Sequence, residues 1–178
     1  VLRYFSTDST KNLTAAEVAD YHANGLGVAD VWETTETRAT QGYQAGVDDA
    51  NLAEGQRAAD GLPAGAPIYF AVDTDTDWAS VADYFRGTHD VLGNDAAGIP
   101  RSGVYGGLAV INGAHAAGFR RLWQTVAWSG GVRSPYAVLY QNGSTVLGGN
   151  ADVNDILAAD WGQYPSPNAG GDIVLDAP

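Results

Sequence analysis

Pro67–Asp75, PIYFAVDTD, is the stretch that decides the fold. It is a short apolar run closed by acidic residues, too short for a helix and rich in strand formers. Strand period two puts Tyr69, Ala71 and Asp73 on one face, joined by Asp75 if the strand extends that far. Ile68, Phe70 and Val72 take the opposite face and call for helices to cover them. Working outward, Val28–Trp32 reads as another strand, with Glu33 directly after it. Arg38–Asp60 between them reads as an Ala/Gln-rich helix weakened by glycines at 42, 46 and 55. Val1–Ser6 is a further strand, expected to pair with Val28–Trp32. Thr14 with Glu17 forms a capping box for the intervening helix, which Gly25 ends. Downstream, Thr76 or Asp77 caps a helix running to about Leu92. Ser102–Tyr105 is a strand, and Leu108–Ala117 a short helix ended by Gly118. Leu122–Trp128 and Tyr136–Gln141 are two more strands. Asp152–Ile156 is the last, running into an Ala-rich helical turn.

Strands alternating with helices imply a parallel sheet with helical crossovers. Seven strands suggest an α/β fold of the TIM-type (β/α) barrel. A complete barrel takes about 200–250 residues, and this chain of 178 residues falls short by one βα unit. Methionine is absent throughout, position 1 included, so the first unit is expected to precede Val1. Residues 1–164 are read as one barrel domain, and 165–178, rich in Pro and Gly, as a C-terminal linker or tail.

Nine basic against 21 acidic residues leave a net charge of −12. Phosphate contacts need Lys and Arg, so nucleic acid is excluded as a partner. No apolar run approaches the length of a membrane span. The absence of cysteine removes thiol nucleophiles, disulfides and cysteine-ligated zinc. No dinucleotide, P-loop or zincin motif occurs. His22, His89 and His115 all fall within helices, away from the strand ends where barrels do chemistry. No metal and no cofactor is expected.

Carboxylates do occupy the strand ends: Glu33, the Asp73/Asp75 pair, and Asp152 on the last strand. Glycosidic cleavage requires two such groups at one mouth. One is held protonated to protonate the leaving oxygen; the other is ionised and acts as nucleophile, base or charge stabiliser. The bland alternative for Asp73, Asp75 and Asp77 is a strand end followed by a helix cap. Trp32, Tyr69, Tyr105 and Trp128 are aromatics on or beside strand ends, where sugar rings can stack. Trp32 and Trp128 are the two expected at the mouth. Gln124 and Gln141 are polar residues inside apolar strands, and need either a ligand or a buried network.

Seven segments occur in order over residues 11–155: KNLTAAEV, VWETTETRA, GYQAGVDDA, PIYFAVDTD, GVYGG, WQTVAWSGG and YQNG…GG…DVND. Together they resemble the glycoside-hydrolase-like family first catalogued as domain of unknown function 1906, found in secreted actinobacterial proteins and phage lysins. The resemblance implies a barrel related to the family 25 lysozymes, with VLRYFS as its second strand. Asp73 and Asp75 match the D-x-E pair of those lysozymes, the second acid here being shorter by one methylene. Glu33 is the alternative acid. The implied function is a glycoside hydrolase acting on peptidoglycan, muramidase- or endolysin-like. The implied location is the cell wall, the extracellular space or a phage virion, fused to or assembled with wall or virion proteins. The other reading is a non-catalytic wall-binding or structural module that uses the same aromatic mouth.

Overall fold

The structure, a computed structural model, describes residues 1–165. Seven strands form one sheet in chain order: β1 Leu2–Phe5, β2 Ala29–Trp32, β3 Ile68–Ala71, β4 Ser102–Gly106, β5 Leu122–Thr125, β6 Leu139–Val146 and β7 Ala151–Ile156. Four helices connect the first five: α1 Ala15–Ala23, α2 Tyr43–Ala59, α3 Trp78–Leu92 and α4 Leu108–Ala116. Strands β1 to β6 are parallel, and the first does pair with the second, Leu2 opposite Ala29 through Phe5 opposite Trp32.

The architecture is an α/β half-barrel. Its curled sheet ends at β1 on one side and β7 on the other, an open sheet among the described residues and consistent with the barrel short of one βα unit expected from the sequence. The parallel pattern also stops early: β7 runs antiparallel to β6, because a hairpin, not a helix, joins them. No helical turn follows Ile156 among the described residues.

Strand parity sorts the apolar residues into two cores. Outward-facing Phe5, Trp32, Ile68, Phe70, Val104 and Leu122 pack under the helices. Inward-facing Val31, Tyr69, Tyr105, Trp123 and Leu139 fill the concave side with Trp161. Trp161 plugs the base: its carbonyl accepts the Tyr69 hydroxyl at 2.5 Å, while Tyr164 pairs with Val28 through two backbone hydrogen bonds. The C-terminal ends of the strands are left open.

Helix α1 begins as its capping box dictates, with Glu17 N–H donating to Thr14 Oγ1 at 3.3 Å. The helix expected over 38–60 is divided. A 3₁₀ turn at Arg38–Gln41 ends at Gly42, whose φ of 80° no helix continues through, and α2 starts at Tyr43. Gly46 is a contact rather than a weak point. A Cβ there would lie 2.0 Å from Tyr84 O, so α2 and α3 touch backbone to backbone. Beside this contact Asp49, 2% exposed, accepts from Arg38 Nη2 and from the Tyr84 hydroxyl, both at 2.8 Å. The 165–178 tail lies almost wholly outside the described residues.

Candidate active site

Parallel strands in this register end at one level, so residues of equal parity at their C-termini converge. The Glu33 N–H extends the ladder to Phe5 O at 3.0 Å, and Val72 N–H does the same to Tyr105 O at 2.9 Å. The next inward side chains are Glu33 and Asp73. They open on a cavity of about 380 Å³. Its walls are Tyr4 and Val31 on one side, and Tyr105, Trp123 and Thr125 on the other. Gln141, Gly143 and Asp152 close it from β6 and β7, and Val126 and Ala127 from the loop after β5.

One amide organises the far wall. Gln141 Oε1 accepts from the Tyr105 hydroxyl at 2.8 Å and from Thr125 Oγ1 at 3.0 Å. Nε2 donates to Asp152 Oδ2 at 3.0 Å, and this carboxylate acceptor fixes which way the amide points, because either hydroxyl could donate or accept. Trp123 is tethered likewise, Nε1 donating to Asn154 Oδ1 at 2.8 Å.

The near wall is electrostatically different. Burial pushes the Glu33 carboxyl above its ordinary range, the charge of Asp73 pushes it further, and Lys11 opposes both. Asp73 is also raised, by burial and then by Glu36. No hydrogen bond to the ionised form contributes to either shift among the described residues. The Tyr4 phenol is raised by burial and by Glu33, Asp152 and Asp73 in turn, so all three carboxylates bear on one point of the mouth. Such a pair of half-buried acids, one feeling the other's charge, can hold a proton on one member while the other is ionised.

Several residues expected here lie elsewhere. Trp32 is 2% exposed and packs outward under the helices, because adjacent residues on a strand point to opposite faces and Glu33 takes the inner one. Gln124 is fully buried on that outer face, spent on backbone and hydroxyl groups of residues 129–134. Tyr69 does face inward but sits one layer too deep, bonded to Trp161. Strand β3 ends at Ala71, so parity no longer governs Asp75, which is exposed and outside the lining. Trp128 is exposed just beyond the lining. Tyr4, Val31, Trp123 and Thr125 were not expected, although the parity of RYF, DVW and WQT carried that information. Among the described residues, no group of three or more His, Asp or Glu side chains is placed to hold a metal ion.

A half-barrel whose strand ends present carboxylates and aromatics to a single cavity is a glycoside-hydrolase-like domain. The chain belongs to the Rv2525c-like, glycoside hydrolase-like domain family, whose profile matches residues 1–161. It is 28% identical over 166 residues to Rv2525c of Mycobacterium tuberculosis, a protein named as a candidate peptidoglycan hydrolase; the match covers 86% of this chain and 67% of that one. The crystal structure of Tat-secreted Rv2525c in complex with L-tartrate superposes with a TM-score of 0.80 at 29% identity, over 91% of this chain and 86% of that one. The modular autolysin LytC of Streptococcus pneumoniae, solved with a synthetic peptidoglycan ligand, shares the fold at a TM-score of 0.59 and 13% identity, over 86% of this chain and 39% of that one. The spore cortex lytic enzyme SleM of Clostridium perfringens does so at 0.51 and 13%, over 85% and 58%.

Proposed function

We propose that this domain hydrolyses the glycan strands of bacterial peptidoglycan, with Glu33 as general acid and Asp73 as its ionised partner. The observation that carries the reading is the electrostatic pairing of the two in one cavity: the negative charge of Asp73 helps keep the proton on Glu33. Glu33 gives that proton to the glycosidic oxygen as the bond breaks. Asp73 meets the positive charge developing on the sugar, or activates the water that replaces the leaving group. Asp152 and Gln141 hydrogen-bond to sugar hydroxyls from the opposite wall, and Tyr105 fixes Gln141 for that task. The choice of peptidoglycan as substrate, and of a muramidase-like bond, is supported by the name given to Rv2525c and by the resemblance noted above. The Tat secretion of Rv2525c supports a place of action in the wall, outside the cytoplasm.

One observation favours a second reading. Asp75, matched to the second acid of the related lysozymes, is exposed and absent from the cavity lining, while Asp73 lines it. A domain without turnover would use the same mouth to bind the wall. Incubation with purified peptidoglycan separates the two. The hydrolase reading expects reducing ends to be released, with Glu33→Gln and Asp73→Asn losing about 10²–10⁴ in rate while still sedimenting with the wall. Sedimentation of the wild-type domain with no release would establish the binding module instead.

A further inference from the structure

Past Thr125, two residues of the cavity wall lead directly to an exposed tryptophan. Val126 and Ala127 line the cavity, and the next residue, Trp128, is 38% exposed. Its φ of 53° is left-handed, a conformation shared by only one other non-glycine residue among those described. A bulky side chain adopts that backbone only where its surroundings impose it. Here a clasp from below imposes it. Gln124 donates to Ser129 Oγ at 2.9 Å and to Val132 O at 2.8 Å, and accepts from Ser134 N–H at 2.7 Å. Ser129 Oγ in turn donates to Thr125 O at 2.6 Å. On its other side Trp128 backs onto Gly107, where a Cβ would stand 2.9 Å from Trp128 Cβ. Trp128 belongs to neither buried cluster.

A large aromatic is thus fixed in a disfavoured backbone, next to residues of the cavity wall, with over a third of its surface left exposed. A cavity of about 380 Å³ is small for a glycan strand, so a polymer held in it must continue across the rim. We propose that Trp128 is the platform of an outer glycan subsite, its ring face taking the C–H face of a sugar beyond the one held at Glu33 and Asp73. The inference rests on the glycan reading of the mouth. Gln124, read from sequence as needing either a ligand or a buried network, takes the network and holds this platform still.

The test is calorimetric affinity for soluble peptidoglycan glycan fragments of one and of three disaccharide units. Wild-type protein is expected to bind the longer fragment more tightly. Trp128→Ala should lose about tenfold for the longer fragment, equivalent to ~1.4 kcal/mol, and nothing for the shorter; Trp128→Phe should restore most of the loss. Trp128→Gly should lose the same affinity without a lower Tm, since glycine relaxes the positive φ, which separates platform from scaffold. Equal wild-type affinity for the two fragments, or variants that bind the longer one as the wild type does, would overturn the subsite alone. Wild-type protein that binds neither fragment would overturn the glycan reading and the subsite with it.

Discussion

At the scale of single residues, the mouth depends on one carboxylate sensing another. Asp73 and burial raise the Glu33 carboxyl while Lys11 lowers it, which makes the pH profile of hydrolysis a direct readout. Activity should fall as pH rises through the elevated Glu33 value, because the acid form is lost, and fall again as pH drops and Asp73 is protonated. Lys11→Gln removes the opposing cation, so the alkaline limb should move to higher pH, by less than about one unit given the exposure of Lys11. An unmoved or lowered limb would remove Lys11 from the account. A second buried acid lies on the outer face of β2. Asp30 is 2% exposed with one unpartnered oxygen, and burial followed by the charge of Asp60 pushes it up to about 8, against the pull of Arg3 and the chain's amino group. The folded state therefore holds this proton more tightly than the unfolded chain does. The sign follows: Asp30's contribution is fully present below its ordinary range near 4 and is lost as pH rises towards 8, at up to ~1.4 kcal/mol per pH unit. Urea unfolding of Asp30→Asn should show a flatter dependence between pH 5 and 8 than the wild type (unfolding free energies with identical slopes would refute it).

Among the elements, the α2–α3 contact is the most tightly specified. Gly46→Ala should destabilise by about 1–3 kcal/mol, since its methyl group would meet the Tyr84 carbonyl and the helices must part. Asp49→Ala should cost about 3–5 kcal/mol, because it leaves the Arg38 guanidinium and the Tyr84 hydroxyl without their shared acceptor. Denaturation midpoints check both, and a shift within ~0.5 kcal/mol would refute either. The elements were largely legible in the sequence, through the alternation of PIYFAV and the Thr14–Glu17 box. Two features were not. The break at Gly42 is a backbone conformation that composition does not encode. The side of the sheet taken by a polar residue in an apolar strand depends on register, so Gln124 and Gln141 read alike although one clasps a loop and the other lines the cavity. Trp32 and Glu33 are neighbours on a strand and could not both reach the mouth; strict parity would have chosen the glutamate and Trp123.

In the whole molecule, the open C-terminal ends of the strands are what expose the mouth. Five parallel strands bring Tyr4, Glu33, Asp73, Tyr105 and Thr125 to one rim, the β6–β7 hairpin adds Gln141 and Asp152, and Trp161 seals the base. Counting strands suggested a barrel short of one βα unit, and closure itself depends on pairing between the first and last strands, which no local pattern reports. The hairpin turns the last strand antiparallel instead, and presents Asp152 across the cavity from Glu33. The central claim is that this rim holds a glycan with its glycosidic oxygen at Glu33. The most direct measurement is a crystal structure of the Glu33→Gln protein with a peptidoglycan glycan fragment. The account predicts a glycosidic oxygen within about 2.6–3.2 Å of the residue-33 side chain, the adjoining anomeric carbon facing Asp73, and sugar hydroxyls on Gln141 and Asp152. A fragment bound away from the cavity, or bound in it with no glycosidic oxygen reaching residue 33, would contradict it.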